Sequence, residues 1–278
     1  MLAGWAALDA AIAALARRQL FFVGGAPRSG TTWLQQMLDA HPDVSCKGEG
    51  LFWKELAAPL GTLMGARRRA LEAKNSGIFA RTGGYPLPPS THEDLLLGTG
   101  ILAALAQQCG GRDCRAVGEK TPENVFFFPK LKGLFPAAKF IGIARDPRDV
   151  LASAWHFFHQ AAPGEDEAAA RIDFVRMALP SLAEGMRAML TLEAEYPGDC
   201  MLVTYEALHE APAGVMARLF AFLGVPDGNS IVMECVAAKD AFMRTGQVGL
   251  WPNTLNAETN DMIIQQTGWA FARFGWMA

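Results

Sequence analysis

Cysteine is scarce in this chain of 278 residues, and it is not arranged in pairs. The five cysteines are an odd number, and no two of them are spaced as CxxC. A disulfide framework needs paired cysteines and an oxidising compartment, so the composition instead predicts reduced, mostly buried thiols in a cytoplasmic protein. Cys109 and Cys114 are close in sequence, but no histidine lies near them. We interpret them as structural residues.

An excess of positive charge and a membrane-spanning run are also missing. Lysine and arginine number 25 against 28 aspartate and glutamate residues, which gives a formal net charge of −3. Proteins that hold nucleic acid without sequence preference carry an excess of positive charge, so no nucleic-acid partner is expected. Residues 1–18 are apolar but too short to span a bilayer, and they contain Asp9. Their basic residues follow the apolar run, unlike those of a signal peptide, and the spacing predicts an amphipathic helix.

What the chain does contain is an alternation of two periodicities. Apolar runs typical of strands cover residues 20–23, 116–118, 139–143 and 201–204, and helical periodicity covers residues 32–40, 92–108, 147–159, 168–194 and 212–223. Near-continuous apolar strands separated by helices are typical of a parallel sheet that is covered on both faces. The pattern predicts one α/β domain over residues 1–278, with a central, mostly parallel sheet. Residues 59–90, rich in glycine and proline, are predicted to form an irregular cover.

The loop after the first predicted strand has the spacing of a phosphate-binding loop without its lysine. Gly25 and Gly30 match the pattern G-x-x-x-x-G-K-[ST], but Thr31 stands at the lysine position and Arg28 is the only cation of the loop. Because that lysine reaches the outer phosphates of a triphosphate, its absence favours a shorter ligand such as a 5′-phosphate or phosphosulfate. The hydroxyl donors of the loop are Ser29, Thr31 and Thr32. A glycine-rich turn without a ligand is the alternative.

A second candidate anion site follows the predicted strand at 139–143. Asp146 and Pro147 are typical first residues of a helix, so a helix is predicted to begin at the carboxyl end of this strand. Arg145 would lie at the strand end and Ser153 two turns along the helix, where a guanidinium and a hydroxyl could bind one phosphate. The alternative is a set of surface ion pairs. Two anion sites at two strand ends suit a nucleotide that carries phosphate groups on both sides.

These motifs together resemble the sulfotransferases that use 3′-phosphoadenosine 5′-phosphosulfate (PAPS), a family with a P-loop-like fold. PRSGTTW resembles the family's 5′-phosphosulfate loop, ARDPRDVLASAWHFFH its 3′-phosphate strand and helix, and RTGQVGLW its RKGxxGxW segment. In the last segment Thr245 replaces a lysine of the family. VTYEAL resembles the segment whose tyrosine lies near the adenine. The resemblance implies that PAPS is held by Arg28, Ser29, Gly30, Thr31, Thr32, Trp33, Arg145, Ser153, Tyr205, Arg244, Thr245 and Gly246.

Sulfonate transfer to a hydroxyl group needs positive charge on the leaving phosphate oxygen. Arg28 is the first candidate for this charge. Lys120 is the second, because GEKTP resembles a carbohydrate sulfotransferase motif whose lysine reaches the sulfonate. An ion pair of Lys120 with Glu119 or Glu123 is the alternative. The resemblance also implies that no metal ion is required.

The general base is predicted to be Glu49. The segment HPDVSCKGEG places Glu49 after the second strand, and a glutamate after a similar HPDV segment is the base in the tyrosyl-protein and glycan branches of the family. The other candidates are Glu119, His41, His156 and His159. We interpret both histidines of the 147–159 helix as packing residues, and His41 as a helix-end residue.

The acceptor is expected to be a hydroxyl-bearing small molecule, glycan or peptide, with residues 59–90 lying over its site. Aromatic residues near the loops would favour a partly apolar alcohol, whereas Arg67–Arg69 would favour an acidic acceptor, and the sequence leaves both open. Two other functions remain alternatives. One is a P-loop kinase or NTPase, which the absent lysine disfavours, and the other is a nucleotide-binding module without catalysis.

Overall fold

The computed structural model describes residues 2–89, 91–110, 112–160, 166–227, 229–237 and 247–277. Its strands are β1 (Gln19–Gly25), β2 (Val44–Gly48), β3 (Ala116–Lys120), β4 (Lys139–Ala144) and β5 (Cys200–Thr204). Its α-helices are α1 (Leu2–Leu15), α2 (Thr31–Asp39), α3 (Ala58–Ser76), α4 (Thr91–Gln108), α5 (Asn124–Leu134), α6 (Pro147–Phe158), α7 (Glu167–Glu195), α8 (Tyr205–Glu210), α9 (Pro212–Leu223), α10 (Asn229–Ala237) and α11 (Ala257–Phe274). A π-helical turn covers Phe52–Ala57, and a 3-10 turn covers Trp251–Asn253.

The five strands form one parallel sheet in the order β2-β3-β1-β4-β5. In the strand register Lys120 pairs with both Val23 and Gly48, and Gly25 pairs with Ile143. The carboxyl ends of β1, β2, β3 and β4 therefore meet at one edge of the sheet, where ligands bind in α/β proteins. The predicted α/β fold with a parallel sheet is confirmed.

Helices cover both faces of the sheet because successive strand residues point to opposite sides. Phe22 and Phe140 belong to a core formed with α1, α4, α5, α6, α7 and α11. Phe21 and Ile141 belong to a second core formed with α2, α8, α9 and α10. All four side chains are fully buried, and each contributes about 1.5–3 kcal/mol through burial. The rigid sheet between the two cores fixes the strand ends that carry the loops.

The prediction of an irregular segment over residues 59–90 is wrong for most of its length. Helix α3 occupies Ala58–Ser76, and only residues 77–89 have no regular structure beyond turns. The segment is rich in alanine, leucine and arginine, which favour helices, and Pro59 lies in the first turn, where proline is tolerated. Its glycines and its lack of a buried face hide the helical periodicity. Helix α3 has no buried residue and packs on α4 and the π-helical turn.

The predicted N-terminal helix is present as α1, which is shorter than the predicted 1–18 and packs against α4 with Leu15 buried. Helices α5, α10 and α11 are not among the predicted elements, and in α5 an internal Pro129 interrupts the periodicity. All five cysteines are buried free thiols. Within the described residues, no helix combines the length and the hydrophobicity that crossing a membrane requires.

Candidate active site

The phosphate-binding loop connects β1 to α2. Gly30 precedes α2 with a φ of +99°, a conformation that favours glycine, and a Cβ atom there would lie 2.5 Å from the Tyr205 ring. The first amides of α2 point out of the helix, where they can face an anion as at other helix N-termini. Ser29 is 1% exposed, and its Oγ atom has no hydrogen-bond partner among the described residues. The loop therefore presents a hydroxyl group that can bind a ligand next to a helix N-terminus.

Arg28 connects this loop to α6. Its backbone adopts a φ of +71°, which is uncommon for a residue with a side chain. Nε donates a hydrogen bond of 3.3 Å to Ser153 Oγ, and the guanidinium carbon lies 4.3 Å from the centre of the Phe157 ring. The structure thus brings together Arg28 and Ser153, which are 125 residues apart in sequence.

Arg145 lies at the end of β4, on the other side of the same loop. It donates hydrogen bonds to the carbonyl oxygens of Arg28 at 3.2 Å and of Gln247 at 3.0 Å. Its guanidinium carbon lies 4.4 Å from the centre of the Tyr205 ring. The side chain is 9% exposed, and within the described part of the chain its buried Nε atom has no hydrogen-bond partner. One donor of Arg145 is therefore available to a ligand.

The positive charges of the Arg28 and Arg145 guanidinium groups repel each other. Partial burial, and after it the positive charge of Arg145, lower the pKa of Arg28. Two neighbouring cations, each lying against an aromatic ring, are stabilised when an anion lies between them. The electrostatics of the loop therefore suit a ligand with several negative charges.

Asp149 fixes the segment that follows residues 238–246. This carboxylate is 2% exposed and accepts hydrogen bonds from the backbone N–H groups of Gly249 at 2.7 Å and Trp251 at 3.0 Å. It also lies 3.9 Å from Arg145. Residues 247–251 are thereby held beside Arg145. The predicted binding residues Arg244, Thr245 and Gly246 lie outside the described residues.

Trp33 and Tyr205, both among the predicted PAPS-binding residues, contact each other. Their ring centres are 5.5 Å apart in an edge-to-face arrangement, and the side chains are 5% and 3% exposed. The indole Nε1 of Trp33 has no hydrogen-bond partner in the residues that the structure describes. Burial raises the pKa of Tyr205, and the charge of Arg145 opposes this effect. The two rings form an aromatic wall on the α2 side of the loop.

Lys120 and Glu49 form an ion pair at the ends of β3 and β2. The ammonium Nζ lies 2.6 Å from Glu49 Oε1 and donates a longer bond of 3.4 Å to Thr32 Oγ1. The side chain of Lys120 is 5% exposed and that of Glu49 is 41% exposed. The partner of Lys120 is thus Glu49, in place of the Glu119 or Glu123 considered from sequence. The solvent-exposed carboxylate of Glu49 and the buried ammonium group of Lys120 therefore lie beside the phosphate-binding loop.

Glu119 belongs to a buried hydrogen-bond network that the sequence did not reveal. Its Oε1 accepts from the Gly50 N–H at 2.7 Å and from the Thr121 hydroxyl, and its Oε2 accepts from Asn124 Nδ2 at 2.9 Å. Burial raises the pKa of this carboxyl group, and the three hydrogen bonds work against the rise. Because its oxygens are occupied and 2% of the residue is exposed, Glu119 is unsuited to accept a proton from an acceptor.

Two of the three candidate histidines have packing roles, and the third, His156, is exposed on α6 and hydrogen-bonded to another side chain. His41 is fully buried, with Nε2 lying 2.7 Å from the Pro226 carbonyl oxygen and Nδ1 accepting the Asp43 N–H at 3.0 Å. His156 Nε2 lies 2.9 Å from Thr254 Oγ1. His159 stacks on Trp155 with ring centres 3.6 Å apart. Among the candidate bases, Glu49 is therefore the one that faces both solvent and the phosphate loop.

The described residues fit a nucleotide with two phosphate groups. The Ser29 Oγ and Arg145 Nε atoms, which have no hydrogen-bond partner in these ranges, could each donate to an anion. No group of three or more His, Cys, Asp or Glu residues in the described ranges is arranged to hold a metal ion. That no metal ion is required stays a prediction.

Known proteins with similar sequences point to one family. A sequence profile described as Sulfotransferase family matches residues 21–228. A putative protein-tyrosine sulfotransferase of Caenorhabditis briggsae is 32% identical over 207 residues, which cover 74% of this chain and 65% of that protein. Protein-tyrosine sulfotransferase 1 of Danio rerio is 28% identical over 217 residues, which cover 77% and 55% of the two chains. The chain spans less than two thirds of the length of these relatives.

The solved structures that resemble this fold include sulfotransferases. Sulfotransferase STF9 from Mycobacterium avium matches with a TM-score of 0.56 at 16% identity, covering 97% of this chain and 82% of that chain. Mouse sulfotransferase SULT7A1, solved in complex with PAP, matches with a TM-score of 0.56 at 14% identity, covering 95% and 88%. At such identities the likeness concerns the fold, and it confirms the predicted P-loop-like architecture.

Proposed function

The chain belongs to the sulfotransferase family, and we propose that it transfers the sulfonate group of PAPS to a hydroxyl acceptor, releasing adenosine 3′,5′-bisphosphate. The observation that carries this proposal is the meeting of Glu49, Lys120 and Thr32 beside a phosphate loop that lacks the lysine of nucleoside triphosphatases. Such a loop, with a base and a buried cation next to it, suits transfer from a 5′-phosphosulfate.

The donor would be held at two anion positions. The loop from Ser29 to Thr32 would bind the 5′-phosphosulfate through backbone amides and hydroxyl groups. Arg145 and Ser153 would bind the 3′-phosphate, with residues 244–246 of the RTGQVGLW motif as further ligands. Trp33 and Tyr205 would border the adenine. PAPS supplies an activated sulfonate group, and the protein's own residues orient it and balance its charge.

Three residues would carry the chemistry. Glu49 is open to solvent, so an acceptor hydroxyl group can reach it and lose its proton to the carboxylate. Lys120 is buried at the sheet edge, where its ammonium group would stabilise the negative charge that develops on the leaving phosphate oxygen. Arg28 would add a second positive charge from the loop. Lys120 and Glu49 lie at strand ends of one rigid sheet and Arg28 on the loop that follows β1, which limits the cost of orienting them.

For the acceptor, we propose a hydroxyl group on a partly apolar molecule as the first class to test. Leu51, Phe157 and Phe158 are exposed apolar side chains at 40%, 62% and 57%, and Phe157 lies against Arg28. Exposed apolar side chains next to a ligand site favour acceptors with an apolar body. The curated relatives are named for tyrosine, a phenol, which supports phenolic acceptors. A cytoplasmic location remains part of the proposal and is supported by the five free thiols.

The first experiment is a thermal-shift comparison of adenosine 3′,5′-bisphosphate, AMP and ATP in the presence of EDTA. A ligand at 100 times its Kd stabilises the folded state by about 2.7 kcal/mol, which corresponds to a shift of several degrees for a chain of this size. We expect the bisphosphate to give this shift and AMP and ATP to give little. Stabilisation by ATP with Mg²⁺ and none by the bisphosphate would favour the kinase or NTPase alternative.

The second experiment measures transfer of labelled sulfonate from PAPS to a panel of acceptors. The panel contains 2-naphthol, a tyrosine peptide with neutral neighbours, the same peptide with acidic neighbours, and N-acetylglucosamine. We expect transfer to 2-naphthol and the neutral peptide. Binding of the bisphosphate without transfer to any member would contradict the proposed enzyme activity and favour a nucleotide-binding module.

A further inference from the structure

We infer that Glu119 is a positioning residue, whose buried carboxylate holds the loop after β2 so that Glu49 meets Lys120. This inference rests on the proposed function only where it assigns Glu49 the role of base. Glu119 and Lys120 are consecutive on β3, and Gly50 and Glu49 are consecutive on the loop. Lys120 pairs with Glu49, while Glu119 accepts the N–H of Gly50. Two adjacent contacts therefore attach one loop to one strand end.

The network extends from Glu119 to two further elements. Asn124, at the start of α5, donates from Nδ2 to Glu119 Oε2 at 2.9 Å and to the Val23 carbonyl oxygen at 3.1 Å. Its Oδ1 accepts the indole N–H of Trp53 at 3.3 Å. Trp53 belongs to the π-helical turn that follows the Glu49 loop. The loop is thus held at Gly50 and at Trp53, three residues apart, by groups anchored on β1, β3 and α5.

The bonds that Trp53, Asn124 and Gly50 make in this network have directions fixed by chemistry. The indole N–H of Trp53 can only donate, and the Val23 carbonyl can only accept, so the Asn124 amide must point its Nδ2 toward Glu119. The backbone N–H of Gly50 can only donate as well. Both oxygens of Glu119 therefore have to accept, which a carboxylate does and an amide cannot.

The substitution Glu119→Gln tests this requirement with almost no change in size. The introduced amide would bring an NH₂ group against either the Gly50 N–H or the Asn124 NH₂ group, and two facing buried donors repel and remain unpaired. The loop would leave its position at one of its two anchors. The bond from Lys120 to Glu49 would then lose its geometry, although both residues are still present.

The first measurement is amide hydrogen exchange of Glu119→Gln, with Glu123→Gln as the matched control. Glu123 is four residues further along, exposed, and makes no capping bond at the start of α5. We expect exchange over residues 49–53 to be about tenfold faster in Glu119→Gln. Exchange over α9 should stay unchanged, as should both segments of the control. The thermal shift by adenosine 3′,5′-bisphosphate should remain. Wild-type exchange over residues 49–53 in Glu119→Gln would overturn the inference.

The second measurement is turnover of the acceptor that the wild-type protein sulfates best. We expect kcat of Glu119→Gln to fall about tenfold or more, because a misplaced base costs rate, while KM for PAPS changes little. Glu119→Asp, which keeps an acceptor-only group, should recover part of the rate. An unchanged kcat would overturn the inference.

Two further results, the absence of sulfonate transfer by the wild-type protein and the failure of Glu119→Gln to fold, have different consequences. If the wild-type protein binds the bisphosphate but sulfates no acceptor, the proposed function fails, and hydrogen exchange still decides whether Glu119 holds the loop. If Glu119→Gln does not fold, Thr121→Val replaces it, because this change removes one donor to Glu119 Oε1. Thr121→Val should give a smaller change in the same direction, and wild-type exchange and kcat in that variant would overturn the inference.

Discussion

The Nζ atom of Lys120 lies 2.6 Å from Glu49 Oε1 and 3.4 Å from Thr32 Oγ1. One ammonium group thereby connects the loop after β2 with the first turn of α2. Lys120 pairs in register with Gly48, so the contact follows directly from the order of the strands. The proposed base on one loop and the proposed phosphate site on another are thus brought together by a cation that neither loop supplies.

Glu49→Gln should abolish the proton acceptor without disturbing donor binding. We expect kcat to fall roughly 10²-fold or more, since general-base catalysis contributes on this order. Stabilisation by adenosine 3′,5′-bisphosphate should match that of the wild-type protein. Glu55→Gln, at an exposed position of the π-helical turn, is the matched control. Wild-type turnover in Glu49→Gln would remove this residue from the mechanism.

Arg145→Ala should weaken binding of adenosine 3′,5′-bisphosphate by about 30-fold or more, because truncating a buried charged partner costs about 2–5 kcal/mol. Isothermal titration measures the change. Arg145→Lys keeps the charge but loses the planar fork that contacts two carbonyl oxygens, so its affinity should be intermediate. Arg176→Ala, on an exposed turn of α7, should bind as the wild-type protein does. Equal affinity in all variants would exclude Arg145 from the donor site.

Gly30→Ala should destabilise the protein by about 1–3 kcal/mol, because the new side chain would meet the Tyr205 ring and the backbone has a positive φ. It should also weaken binding of the bisphosphate, since the loop has to move. Gly214→Ala in α9 is the control, as no atom of the described residues outside its own helix turn lies within 4 Å of the position that its Cβ would take. That variant should be stabilised by about 0.5–1 kcal/mol. Urea denaturation of both variants checks the opposite signs, and equal effects would contradict the explanation.

Cys200 should make folding stability fall at alkaline pH. Burial raises its pKa from 9.0 to about 12, with a smaller effect from Glu193. The unfolded thiol therefore loses its proton first, so its contribution is complete below pH 9 and is lost as the pH rises toward 12. Between pH 8 and pH 10 the free energy of unfolding should fall by about 1 kcal/mol more in the wild-type protein than in Cys200→Ala. Parallel profiles from denaturant titrations would show that this thiol ionises equally in both states.

Local sequence patterns predicted most of the elements that carry the site. The helix over 212–223 and the strand at 139–143 agree with α9 and β4 to within one residue. Both have strong periodicity and clear ends, such as Pro212 and the αL Gly224 of α9. Helix α3 was missed because it buries no face, and a helix without a buried face leaves no hydrophobic periodicity in the sequence.

The sequence predicted some residues of the candidate site and missed the contacts of others, because only local patterns can be detected in a sequence. Motifs within one segment, such as PRSGTTW and GEKTP, identify their residues because the chemistry is local. The sequence did not identify the ion-pair partner of Lys120, because 71 residues separate Lys120 from Glu49 and only the register of β2 on β3 brings them together. Glu119 appeared in sequence as one of several possible bases. Its role as an acceptor for Gly50 and Asn124 is visible only once three strand ends are packed side by side.

The residues alone therefore establish the parallel α/β architecture, the phosphate loop without lysine and the identity of the charged groups. These properties depend on hydrophobic periodicity and on contacts between near neighbours in the chain. Tertiary structure decides which carboxylate is open to solvent and which is buried, and which cation each one meets. Those contacts join residues that are far apart in sequence, and their geometry is determined by strand order, register and burial.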